Sequence, residues 1–62
     1  MKHPEAKYVD LGYRYERAHT VQAGTAIART IRGLLESEQI DERAEARHLV
    51  DRGRQEARGV AA

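Results

Sequence analysis

The sequence predicts an all-α fold: a helical hairpin over about 20–37 and 41–58, preceded by a helical segment over about 5–18. Three observations carry this. Ile27, Ile31 and Leu34 repeat at helical spacing. Ala46, Val50, Gly53, Ala57 and Val60 repeat at heptad spacing with Leu49 beside them. The only Pro, Pro4, lies before all of these and suits a first helical turn.

Residues 5–18 fit two templates. As a helix, Tyr8, Leu11, Tyr15 and Ala18 recur at i, i+3, i+7 and i+10; as a strand, Val9, Leu11, Tyr13 and Tyr15 alternate with Asp10, Gly12, Arg14 and Glu16. Gly12 weakens both readings and the tyrosines favour strand. Glu5, Ala6, Lys7, Glu16, Arg17 and Ala18 favour helix, and helix is the leading assignment. At ~100° per residue, Ile27, Ile31 and Leu34 centre roughly 150° from the direction of Tyr8, Leu11, Tyr15 and Ala18. Either the chain changes direction near His19–Thr20, with Thr20 capping the second helix and Gly24 softening its next turn, or one long helix feeds two different contacts.

The segment 20–37 is the firmest. Its apolar face is flanked by small residues, Ala23, Ala26, Thr30 and Gly33, while Arg29, Arg32 and Glu36 fall on the solvated side. Ser37 to Asp41 reads as the turn. Asp41 would cap the third helix, Glu42 and Glu45 suit its positive end, Arg52, Arg54 and Arg58 suit its negative end, and Gly59 would stop it.

The chain has 62 residues in one domain and contains no Cys, Trp or Phe. Disulfides therefore cannot stabilise it, and its apolar inventory is thin for its size. Association is the remaining aid, so the sequence predicts a homodimer through Ile27, Ile31, Leu34, Val50, Gly53 and Ala57.

Charge excludes more than it selects. Eleven Lys and Arg stand against ten Asp and Glu, for a net charge of +1. This disfavours a strongly electrostatic nucleic-acid binder, although it does not exclude one. Well-placed Ile, Leu and Val with alternating charge signs argue against disorder. No apolar run approaches a membrane span and the first residues carry no signal-peptide core, so a cytoplasmic location is expected. Frequent Arg and Ala suit a bacterial or phage origin.

Three constellations carry chemistry in principle. Glu16–His19 and Glu45–His48 are Glu-x-x-His units, the ligand spacing of carboxylate-bridged metal bundles. A turn near residue 39 would leave them roughly 16 Å apart in height. They read as exposed pairs, with no metal and no cofactor expected. Arg43, Arg47, Arg54 and Arg58 fall within about 60° on the third helix, a stripe suited to an acidic partner or to phosphates. Tyr8, Tyr13 and Tyr15 are the only aromatics and a candidate docking patch. With no Cys nucleophile, no Gly-rich phosphate loop and a lone Ser37 in a turn, no catalytic residues are assigned and enzymatic activity is not expected.

If residues 5–18 were a strand, the order strand–helix–helix resembles ribbon-helix-helix repressors. That resemblance implies a β-α-α dimer placing Asp10, Gly12, Arg14 and Glu16 in the DNA major groove. Asp10 and Glu16 are acidic, which suits phosphate-rich DNA poorly, and no small-residue turn opens the second helix between Glu36 and Asp41. The leading expectation is a small non-enzymatic interaction module, a regulator or adaptor acting as a homodimer on an unidentified protein partner. A DNA-binding repressor is the alternative and a metal-binding bundle the minor one.

Overall fold

A computed structural model describes residues 5–61, with the side chains of 5–59. The elements are α1 (Glu5–Glu16), α2 (Val21–Ser37) and α3 (Ile40–Ala61), with no strand among the described residues. The roles assigned to Pro4 and to the Val60 side chain lie outside this range. No described helix is long and apolar enough to cross a membrane.

Residues 5–16 are helical, so the strand reading is overturned, and with it the β-α-α arrangement. A helix satisfies its own backbone groups; a lone strand here would need a second chain to do so. The helix winds out through Arg17 N–H to Tyr13 O (3.2 Å) and Ala18 N–H to Tyr15 O (3.3 Å). The chain then turns, so of the two ways to accommodate the divergent apolar directions it takes the change of direction near His19–Thr20. Thr20 caps α2: its backbone is extended and its hydroxyl oxygen accepts from the Ala23 N–H at 3.1 Å.

Two boundary expectations are corrected. The Gln39 carbonyl accepts from Glu42 N–H (2.9 Å) and Arg43 N–H (3.0 Å), so α3 begins at Ile40 and Asp41 sits in its first turn instead of capping it. Gly59 does not stop α3, which continues to Ala61; no described glycine has the positive φ of a helix-ending residue.

The connection between α2 and α3 is tight and well anchored. Glu38 N–H donates to Leu35 O at 3.1 Å, and Ser37 Oγ donates to Leu34 O at 2.7 Å. Arg43 reaches back from α3, donating from Nε to Leu35 O (2.9 Å) and from Nη2 to Glu36 O (3.2 Å). These are carbonyls of the last turn of α2, which lack the i+4 N–H partner of the helix interior. Glu38 also accepts from the Tyr8 hydroxyl at 2.6 Å, fastening the turn to α1.

The main packing relationship is α1 against α3, and the two run parallel. Tyr8 meets the segment entering α3, Gly12 lies against Val50, and Glu16 reaches Arg54 and Arg58. The crossing is close enough to exclude side chains. A Cβ on Gly12 would fall on the Val50 carbonyl oxygen, with its carbon 2.9 Å away; one on Gly53 would fall on the Val9 carbonyl oxygen, 2.9 Å from the Tyr13 nitrogen. Such approach suits Cα–H···O contacts between helices. Gly12, a weakness in either sequence template, is therefore a packing centre.

Tyr8, Ala46, Leu49 and Val50 form the core cluster, with Ala57 buried further along α3. Val9 of α1 and Ile31, Leu34 and Leu35 of α2 pack against the cluster and are only partly buried. The expected hairpin is thus not the organising unit. The seam of α3 is filled by α1, and α2 touches α3 least of the three helix pairs. Of the residues assigned from sequence to a second copy, Val50 and Gly53 lie against Gly12, Val9 and Tyr13 of α1 in the same chain, and Ala57 is buried.

Candidate functional site

Because α2 lies loosely on the α1–α3 pair, its apolar stripe is not sealed. It is the most amphipathic of the three helices, yet it has no fully buried residue. Ile27, Ile31 and Leu34, the other half of the interface expected from sequence, are half-buried. Between α2 and α3 runs a groove of about 510 Å³. Its apolar lining is Ala28, Ile31 and Leu35 from α2 and Val50 from α3, with Tyr15 of α1 at one end. A second groove of about 500 Å³ continues toward Val21, and the two share Tyr15, Ala28 and Arg32. Together they follow α2 over most of its length. Val21, at the far end, is 85 % exposed.

The edges are cationic. Arg32 of α2 and Arg43, Arg47 and Arg54 of α3 line the first groove, against the single acid Glu36; Arg29 lines the second. These arginines differ in what already holds them. Arg43 is fixed on the Leu35 and Glu36 carbonyls and has no acidic partner. Arg54 donates from Nε to Glu16 Oε1 at 2.9 Å and lies 5.1 Å from the Tyr15 ring centroid, a cation–π distance. Arg29, Arg32 and Arg47 are exposed and, among the described residues, have no hydrogen bond, ion pair or ring contact.

Glu16 is the hub of the charge cluster at the end of α1. Its second oxygen accepts from Arg58 Nε at 3.0 Å. The hydrogen bonds from Arg54, then Arg58, hold its carboxyl below the ordinary glutamate value. Tyr8 is shifted the other way. Burial, reinforced by its hydrogen bond to Glu38 and the charges of Glu38 and Glu42, pushes its phenol up to about 12.

Three of the stripe arginines predicted from sequence, Arg43, Arg47 and Arg54, come together on the groove. Arg58 does not: its guanidinium is turned to Glu16. The tyrosines separate. Tyr8 is 3 % exposed and belongs to the core, so it is corrected from docking patch to structural residue. Tyr13 is half-buried with the Arg17 guanidinium 5.7 Å from its ring, and only Tyr15 lines the grooves. The sequence reading missed Ala28, Arg32 and Leu35 as groove residues. The sequence places Arg29, Arg32 and Glu36 together on the solvated side of α2, and all three line the grooves.

Among the described residues, no group of three or more His, Cys, Asp or Glu side chains gathers as a metal-ligand set. Of the two Glu-x-x-His units, one loses its helical register because α1 ends at Glu16 and His19 lies in the following loop. The chain matches no protein-family model, and no curated protein or solved structure matches it.

Proposed function

We propose that this chain is a protein-interaction module that receives an apolar segment of a partner in the groove between α2 and α3. One observation carries the reading: the helix with the strongest apolar face buries none of its residues completely. Apolar surface held open along a continuous groove, beside a core already closed by α1 and α3, is surface available to another chain. A helix laid into such a groove would place apolar residues at i, i+3, i+4 and i+7 against Ala28, Ile31, Leu35 and Val50. The grooves are open troughs walled by helices, which suits a peptide segment better than an enclosed small-molecule substrate.

The test uses an uncharged amphipathic helical peptide of about 15 residues titrated into isotopically labelled protein. The expected result is saturable shifts at Ala28, Ile31, Leu35 and Val50. They should vanish in Ala28→Trp, which fills the stretch shared by both grooves, with the melting temperature kept. Absence of saturable shifts, or undiminished binding by Ala28→Trp, overturns the reading. Shifts at these residues that follow the protein's own concentration, without peptide, would assign the groove to a second copy instead.

A further inference from the structure

We infer that the segment this groove receives is an acidic amphipathic helix. The inference rests on the groove's being a protein-binding site, and it names the partner's chemistry from how the arginines are distributed. Across most of the described surface, arginine charge is matched locally. Arg14 pairs with Asp10 at 3.0 Å, Arg52 with Glu56 at 3.5 Å, and Arg54 and Arg58 share Glu16. Arg17 lies by the Tyr13 ring. The arginines left with no partner among the described residues, Arg29, Arg32 and Arg47, all line the two grooves. Arg32 and Arg47 project from different helices, α2 and α3, onto the same groove, and Arg43 adds a third cation without an acidic partner. The chain as a whole carries a net charge of only +1. The unmatched arginine charge is therefore local to the apolar trough, where Glu36 is the one acid on the lining.

An occupant must satisfy both features. Single-stranded nucleic acid would meet the cations but leave the aliphatic floor of Ala28, Ile31, Leu35 and Val50 unused, and the one aromatic on the groove, Tyr15, already carries the Arg54 guanidinium. A helix with an apolar stripe flanked by Glu or Asp meets both at once: the stripe on the floor, the carboxylates toward Arg32 and Arg47. The seventeen residues of α2 give a trough of about 25 Å at ~1.5 Å per residue, room for a helix of some four turns.

The experiment compares three synthetic helices of about 15 residues with the same apolar positions and glutamate, glutamine or lysine at the flanks. Binding to the full chain is measured by fluorescence anisotropy at low and at high salt. The acidic peptide should bind about tenfold or more tightly than the glutamine peptide, and the advantage should shrink with added salt. Arg32→Glu with Arg47→Glu should remove that advantage. Arg14→Glu with Arg52→Glu makes the same change in net charge away from the groove and should leave the advantage in place. Equal binding of the acidic and glutamine peptides, with shifts at the groove residues, overturns this inference and leaves the interaction module standing. No binding by any of the three overturns both. An advantage that survives the groove reversal, or that the remote reversal abolishes equally, shows general charge attraction and overturns the inference, as does tighter groove binding by a single-stranded oligonucleotide than by the acidic peptide.

Discussion

Gly12 of α1 and Gly53 of α3 form one reciprocal crossing: the Val50 carbonyl oxygen occupies the place of a side chain at Gly12, and the Val9 carbonyl oxygen does so at Gly53. Both obstacles are backbone, so neither can move aside alone. The crossing fixes how closely α1 lies on α3.

Gly12→Ala and Gly53→Ala should each destabilise the fold by about 1–3 kcal/mol, the usual cost of overpacking. This should exceed the gain of up to ~1 kcal/mol that alanine brings to a helix. The double variant should cost less than the sum, because one separation of the helices relieves both clashes. Gly33→Ala meets nothing within 4 Å and should stabilise by about 0.5–1 kcal/mol. Chemical denaturation of the four variants measures all of this, and an unchanged Gly12→Ala would refute the close crossing.

The Tyr8–Glu38 bond predicts an alkaline transition. Tyr8 titrates at about 12 in the folded chain, against roughly 10 for an unfolded tyrosine. Because the folded value is raised, the linked stability is fully present below about pH 10 and is lost as pH rises toward about 12. Tyr8→Phe should cost about 1–2 kcal/mol at neutral pH and flatten this alkaline fall. Thermal melts of both proteins between these pH values decide it, and parallel curves would mean the phenol does not gate stability.

Glu16 predicts the complementary acid response. Its carboxyl is held below the ordinary value by Arg54 and Arg58, so the linked stability is present above the unfolded value, about 4.3, and is lost as pH falls through the lowered folded value. Glu16→Gln should weaken this part of the acid dependence. It should also free Arg54 and Arg58, which proton exchange of the guanidinium groups would report as faster than in the parent chain.

Thr20 caps α2 through a single hydroxyl, so Thr20→Ala should cost about 0.5–2 kcal/mol, and Thr20→Asn should retain most of the stability. Fraying confined to the first turn of α2, seen as faster amide exchange at Ala23, would place the loss at the cap.

The local features of the chain were legible in its residues. Spacing of Ile27, Ile31 and Leu34 located α2, Thr20 marked its start, and the heptad of Ala46, Val50, Gly53 and Ala57 marked the buried side of α3, because periodicity and capping are properties of a few consecutive residues. The third helix ran past Gly59 because glycine ends a helix only where the chain needs positive φ, and α3 does not turn there. What tertiary structure alone decided is which surface covers which. A stripe of small residues says that something approaches closely without naming it, and α1 took the place assigned to α2 and to a second copy. Gly12 gave no forewarning, since a contact between backbones leaves no trace in hydropathy. The groove has the same origin: Tyr15, Arg32 and Arg47 come from three helices, and only the packing of those helices puts them on one surface.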